Sequence, residues 1–222
     1  MKRAILGVSL LLCMVASTST ADILLDVPLY GQEKNNWCWD ASSAMILAYK
    51  EFDHTQTEIA NWAVGGQDVG NLLTLANGGP FTVAGSSPPV TYYKQGCAQV
   101  LDHFGPVNST WLGYPLSLAD VQTEMDGRRP ALLAVRWLKK GTDVGGHAIV
   151  LRGYQGNLIS LNDPWPSDNA PAPGHPGVAY LVDYDAMFTS VLFLRFVYKS
   201  APRNSGSRRR SSSRRRAWDV GC

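Results

Sequence analysis

The spacing of apolar positions divides this chain into three stretches. After Lys2-Arg3, the run Ala4 to Ala16 is mostly apolar and is followed by Ser19-Thr20-Ala21. A positive start, a short apolar run and small residues at its end predict an export signal over residues 1–21, cut before Asp22. An uncleaved anchor is the alternative, disfavoured because the run is short for a membrane span. The second stretch shows helical spacing. Ala41, Ala44, Met45 and Ala48 recur on one face of a helix expected from about Trp37 to Tyr49, capped by Asn35-Asn36. Gln56 to Val64 reads as a second helix. Residues 65–90, rich in Gly, Pro, Ser and Asn, read as a long loop. Val90 to Phe104 reads as helical from about Thr91, with Cys97 inside it, and Ser117 caps a further helix running to about Met125.

In the third stretch the spacing becomes that of strands. Ala131 to Trp137, His147 to Tyr154, Leu158 to Asn162, Val178 to Val182 and Val191 to Tyr198 are expected as strands, with Asp26 to Gly31 as a short opening strand. Helices first and a mostly antiparallel sheet afterwards is an α+β order. With 45% apolar residues in 222, the chain can bury one sizeable core. The expected organisation is therefore a signal over 1–21, one domain over 22–202 and a Ser/Arg-rich disordered tail over 203–222.

Charge changes the picture only at the tail. The formal net charge is +2, yet seven arginines lie within residues 203–222, where Asp219 is the only acid. Residues 22–202 carry 11 basic and 17 acidic side chains. An acidic domain excludes nucleic-acid binding by charge. The arginine tail is expected to give weak, salt-sensitive binding to anionic surfaces, or to be a solvated tail with no partner. No later stretch is apolar enough to span a bilayer, and a monomer is expected.

Three cysteines remain beyond the signal: Cys38, Cys97 and Cys222. An odd number in an exported chain points to a free thiol, and no pair has metal-ligand spacing, so neither metal nor cofactor is expected. Cys38 stands out, in Gln32-Glu33-Lys34-Asn35-Asn36-Trp37-Cys38-Trp39. It opens a helix, where the dipole favours a negative sulfur. Gln32, six residues upstream, supplies an amide donor for the oxyanion formed when sulfur attacks a carbonyl, together with the Cys38 backbone N–H.

A base and an orienting group follow from a hairpin. His147 opens a strand behind Gly145-Gly146, where the backbone can bend sharply or approach another element. If Gly153 pairs with Asn157 across the turn Tyr154-Gln155-Gly156, His147 lies opposite Asp163, with Cβ atoms about 4.5–5.5 Å apart. Asn162 then points to the other face. The result is a Cys38–His147–Asp163 set suited to acyl transfer from a peptide or amide to sulfur, followed by hydrolysis.

Gln32…Trp37-Cys38-Trp39, Gly146-His147-Ala148 and Asn162-Asp163-Pro164-Trp165 resemble a papain-like cysteine peptidase. Within that group the chain is similar to bacterial peptidases that remove double-glycine leader peptides and to related effector proteases of plant pathogens. The resemblance covers roughly residues 26–198, loosely over 65–115. It implies a papain-like two-lobe fold, with the nucleophile helix in one lobe and the histidine-bearing sheet in the other. It implies a cleft for a peptide or protein substrate, with Trp37, Trp39, Gly145, Gly146 and Trp165 nearby. The third residue is asparagine in papain and aspartate in this subgroup. Trp165 is placed like a tryptophan that shields the bond to histidine in papain; packing on the sheet is an equal alternative. Asp40 departs from the pattern, since the family has a small residue there. An acid suits the helix dipole but opposes a thiolate. Leader peptidases of this kind are usually part of a membrane transporter, so this chain reads as a freestanding secreted or periplasmic peptidase. An amidase or acyltransferase on the same scaffold, or an inactive peptide-binding homologue, are the alternatives.

Overall fold

A computed structural model describes residues 22–70, 79–82, 91–94, 96–105, 109–112, 114–139, 142–165, 175–190 and 196–199. The expected signal, the tail with Cys222, residues 191–195 and most of the expected loop over 65–90 lie outside these residues.

Helix α1 (Cys38–Tyr49) is the centre of the helical part. All its residues except Cys38 and Ala48 are buried, so it is a core helix rather than an amphipathic surface one. Met45, Ile46 and Leu47 are wholly enclosed, each contributing roughly 1.5–3 kcal/mol by burial. Its N-cap is Trp37, with no side-chain cap. The expected Asn35-Asn36 cap is thus corrected: Asn36 instead turns its amide to the Asp68 carbonyl. Helix α2 (Gln56–Val64) and helix α4 (Leu118–Asp126) start with the signals the sequence carries. Thr55 and Glu58, and Ser117 and Asp120, form reciprocal capping boxes.

The stretch from Thr91 to Phe104 divides in two. Strand β3 (Thr91–Lys94) pairs antiparallel with β2 (Gly79–Thr82), and helix α3 (Cys97–Phe104) begins only after Gly96. The β-branched and aromatic run Thr91-Tyr92-Tyr93 finds a strand partner, which overrides a helical start there.

The main sheet orders its strands β4-β9-β5-β6-β7-β8, where β4 is Thr110–Leu112, β5 Ala131–Lys139, β6 Thr142–Gln155, β7 Leu158–Asp163, β8 Val178–Asp183 and β9 Phe196–Lys199. Strand β1 (Ile23–Leu24) adds to β6, and all the pairings are antiparallel. A short helix α5 (Tyr184–Ser190), unforeseen in the sequence, follows β8. The opening strand is Ile23–Leu24 rather than Asp26–Gly31. Pro28 has no N–H for a ladder, and this segment is tied by a side chain instead: Asn162 Nδ2 donates to the carbonyls of Val27 and Pro28, both at 3.1 Å.

The β6–β7 hairpin closes more tightly than expected. Gln155 pairs with Leu158 around the two-residue loop Gly156-Asn157, and Gly156 has the positive φ of 57° that such a loop asks of its first residue. A bulge between Leu151 and Gly153 then shifts the register, so that Val150 faces Asn162. Continued, this register sets Asp163 opposite Ile149, two residues from His147. The offset is even, so His147 and Asp163 still share a face.

Helix α1 packs against α2, α3, β5 and β6, within an apolar core whose members run from Leu25 to Met187. The architecture is α+β and papain-like. Ser42 fixes the helix against the sheet, its Oγ donating to the Ala148 carbonyl at 3.1 Å in the interior.

Candidate active site

Cys38 is the first residue of α1. Its thiol is free and half-buried, in a helix start that lacks a side-chain cap. A cap would occupy first-turn N–H groups that an oxyanion at this position needs.

His147 comes from β6 and is buried. Its Nε2 lies 2.6 Å from Asp163 Oδ1, a short contact of the charge-assisted kind. Cys38 forms the other side-chain hydrogen bond of the ring. With Nε2 committed to Asp163, Nδ1 is the nitrogen left for sulfur. Burial pulls the imidazole down, but the hydrogen bonds and charges of Asp163 and Cys38 outweigh it. The ring is pushed up from 6.5 to about 10.

Asp163 ends β7 and is itself held. Its Oδ1 accepts from the Trp165 N–H at 2.8 Å, and the Tyr180 hydroxyl stands 3.5 Å from Oδ2. Burial and the neighbouring Asp163 both hold the Tyr180 hydroxyl above its ordinary range. The Trp165 ring stands edge-on to His147, centroids 6.4 Å apart at 88°. The Gly177 backbone runs alongside: a Cβ there would come 2.6 Å from the Asp163 carbonyl oxygen and 2.9 Å from that of Tyr30. This glycine permits a close approach of the kind expected, as one alternative to a sharp bend, at Gly145-Gly146. At Gly146, which is exposed, a Cβ would meet only the Val135 carbonyl at 3.9 Å. Gly145 and Gly146 pair with Trp137 and Arg136, and the register shifts immediately beyond Gly145, between Trp137 and Leu138, an irregularity of the kind that the two glycines allow.

Gln32 is buried, and its Nε2 donates to the carbonyls of Lys34 and Asn35, both at 2.8 Å. Both amide hydrogens therefore hold the loop leading to Cys38, and neither is available to an oxyanion in this arrangement. Its Oε1 is enclosed without a partner. Trp37 and Trp39 also differ from expectation. Both are buried, and their indole N–H groups donate to the carbonyls of Gln67 and Val69. They anchor the segment after α2 and present no surface to a substrate.

Asp40 stands two residues after Cys38 in the first turn of α1 and is wholly buried. Among the described residues neither carboxyl oxygen has a hydrogen-bond partner. Burial, reinforced by Glu33 and Cys38, pushes it up to about 9, so it is uncharged at neutral pH. Cys97, at the start of α3, is buried and free, and burial raises its thiol strongly. The burial of Asp40, the Ser42 tether and the Tyr180 contact were not foreseen. Only the departure of Asp40 from the small residue that the resemblance implied there carried any signal.

Among the described residues, no group of three or more His, Cys, Asp or Glu side chains could hold a metal, and no helix is long and apolar enough to cross a membrane. Residues 24–178 match the Peptidase_C39 like family. No curated protein matches the chain. Among solved structures it is similar to one described as a C39-like peptidase from Bacillus anthracis, with 16% identity and a TM-score of 0.55, covering 83% of this chain and 99% of that one. At that identity the structural likeness speaks for the fold. The family match spans more than half of the sequence, and the chain therefore belongs to the C39-like peptidase family and is a cysteine peptidase.

Proposed function

We propose that the chain is an exported cysteine peptidase that cleaves peptide bonds through a thioester on Cys38, with His147 as acid and base and Asp163 as the group that orients it. The observation that carries this reading is the hydrogen-bonded series Cys38–His147–Asp163, two of whose members are buried and the third half-buried. A protonated His147 places positive charge beside the sulfur, the setting in which thiolates act as nucleophiles. The Cys38 sulfur attacks the scissile carbonyl carbon, and the oxyanion takes hydrogen bonds from first-turn N–H groups of α1. As the tetrahedral species collapses, the C–N bond breaks and His147 gives its proton to the leaving amine. The neutral ring then takes a proton from water, which adds to the thioester carbonyl. Collapse expels the sulfur and frees the carboxylic acid. Gln32 acts by shaping the loop before Cys38, and contributes to the oxyanion only if one of its two backbone contacts is released.

Export rests on the amino-terminal pattern over residues 1–21, and the peptidase is assigned to residues 22–202. The experiment is digestion of a proteome-derived peptide library by the mature protein and by its Cys38→Ala variant. Cleavage confined to the protein with Cys38 is expected, and its sites give the specificity. Absence of Cys38-dependent cleavage overturns the mechanism. Amino-terminal sequencing of exported protein tests the cut before Asp22.

A further inference from the structure

Three of the described helices carry an acid at their third position, and the acids meet different fates. Glu58 of α2 and Asp120 of α4 both reach back to their N-cap residue and close a capping box. Glu58 is exposed, and the Thr55 backbone N–H leads the interactions that hold it below its ordinary value. Asp40 occupies the same position in α1, yet it is wholly buried and both its oxygens lack a partner. Its backbone N–H bonds to the Trp37 carbonyl at 3.1 Å, so the residue is in helical register and only its side chain fails to cap. The titratable groups that bear on it are Glu33 in the preceding loop, Cys38 on the same helix and Cys97 from α3. All three become anions on losing a proton, and no described cation pairs with Asp40. A carboxyl so enclosed holds its proton, because nothing nearby compensates the charge.

We propose that Asp40 is a positioning residue acting through Cys38: its enclosed, neutral carboxyl leaves the sulfur free to carry charge, and loss of its proton opposes the thiolate. The inference rests on Cys38 being the nucleophile. The coupling is reciprocal. A thiolate at Cys38 helps Asp40 keep its proton, and an Asp40 carboxylate opposes the thiolate by the same free energy.

The test uses the mature protein, Asp40→Asn and Cys38→Ala. Cys38 is labelled with neutral iodoacetamide and with anionic iodoacetate from about pH 6 to about pH 10.5, with sites read by mass spectrometry. An Asp40 carboxylate repels the anionic reagent more than the neutral one. In wild type the iodoacetate-to-iodoacetamide rate ratio is expected to fall as Asp40 loses its proton, with a midpoint near 9, and Asp40→Asn is expected to remove that step. Persistence of the step in Asp40→Asn overturns the proposal. Carbon-13 NMR of the Asp40 carboxyl gives a second reading that does not depend on that variant folding. Titration well above the usual carboxylate range, shifted downward by Cys38→Ala, supports the coupling. Titration near 4, or no shift on Cys38→Ala, overturns it. If Cys38 labels no faster than Cys97 near pH 6, the nucleophile assignment fails, and the NMR titration still decides whether the two residues are coupled.

Discussion

His147 Nε2 and Asp163 Oδ1 stand 2.6 Å apart, with both side chains almost wholly out of solvent. A buried ion pair is costly to break from one side, because the partner left behind remains desolvated. Here Asp163 also accepts from the Trp165 N–H, so its place is fixed independently of the ring. The pair therefore commits one imidazole nitrogen and directs the other to Cys38.

Replacing the carboxylate separates orientation from charge. Asp163→Ala is expected to lower kcat/KM by on the order of 10²-fold or more, since ring placement and imidazolium stabilisation are both lost. Asp163→Asn keeps an acceptor for the ring and is expected to retain more activity than Asp163→Ala. Both variants should lower the His147 titration, followed by imidazole NMR. An Asn variant as impaired as the Ala variant would show that charge, rather than placement, is what the site requires.

Stability should fall as pH rises, through two groups with different windows. His147 is raised from 6.5 to about 10, so its stabilising contribution is complete below about 6.5 and disappears as pH climbs through 10. Asp40 is an acid raised from 3.8 to about 9. The unfolded chain gives up that proton above about 4 while the fold retains it, so the penalty grows from about pH 4 to 9. Asp40→Ala is therefore expected to raise Tm by roughly 5–10 °C near pH 8 and to have little effect near pH 4. Thermal unfolding of wild type and variant across pH is the measurement, and an equal Tm change at both ends would exclude ionisation as the cause.

How much of this was legible depended on whether the signal was local. The helix at Leu118 was readable because Ser117 announces its own capping, and the one at Gln56 carries the same kind of local signal in Thr55…Glu58. The grouping of His147 with Asp163 survived a wrong register because the error was even and only parity decides the face. The bulge at Leu151/Gly153 has no local signature, so the register itself was not readable. Strand β3 was misassigned because its partner is Gly79–Thr82, a Gly-Pro segment that reads as loop. Trp37 and Trp39 flank the nucleophile in sequence, but their anchors, Gln67 and Val69, lie about thirty residues on and are brought close only by folding. Whether the Asp40 side chain faced solvent or core was likewise decided by the packing of α1, not by its own neighbours in sequence.

The Gln32 amide distinguishes a loop-shaping role from an oxyanion role. Both hydrogens of Nε2 are used on the carbonyls of Lys34 and Asn35. Gln32→Glu would set a carboxylate oxygen against those two carbonyls, whereas Gln32→Ala only removes the donors. The Glu variant is therefore expected to lose more stability than the Ala variant, by about 1–3 kcal/mol. Both are expected to slow iodoacetamide labelling of Cys38. If Gln32→Ala instead leaves labelling and Tm intact while hydrolysis falls, the amide acts on the oxyanion and the two backbone contacts are dispensable.

Ser42 offers a test of how the nucleophile helix is aligned with the histidine strand. Its Oγ donates to the Ala148 carbonyl, the residue after His147, across the buried interface between α1 and β6. Ser42→Ala removes this donor and is expected to cost about 1 kcal/mol, lowering Tm by roughly 2–4 °C. The larger effect is expected in activity. Cys38 sits one turn before Ser42, and a small rotation of α1 changes the sulfur-to-imidazole contact, on which proton transfer depends steeply. Ser42→Thr keeps the hydroxyl and should restore the alignment if the interior accommodates one more methyl. Comparing kcat with KM decides the matter. A fall in kcat with KM little changed, rescued at least in part by Thr, supports an aligning role; a loss of Tm alone would leave Ser42 as a packing residue.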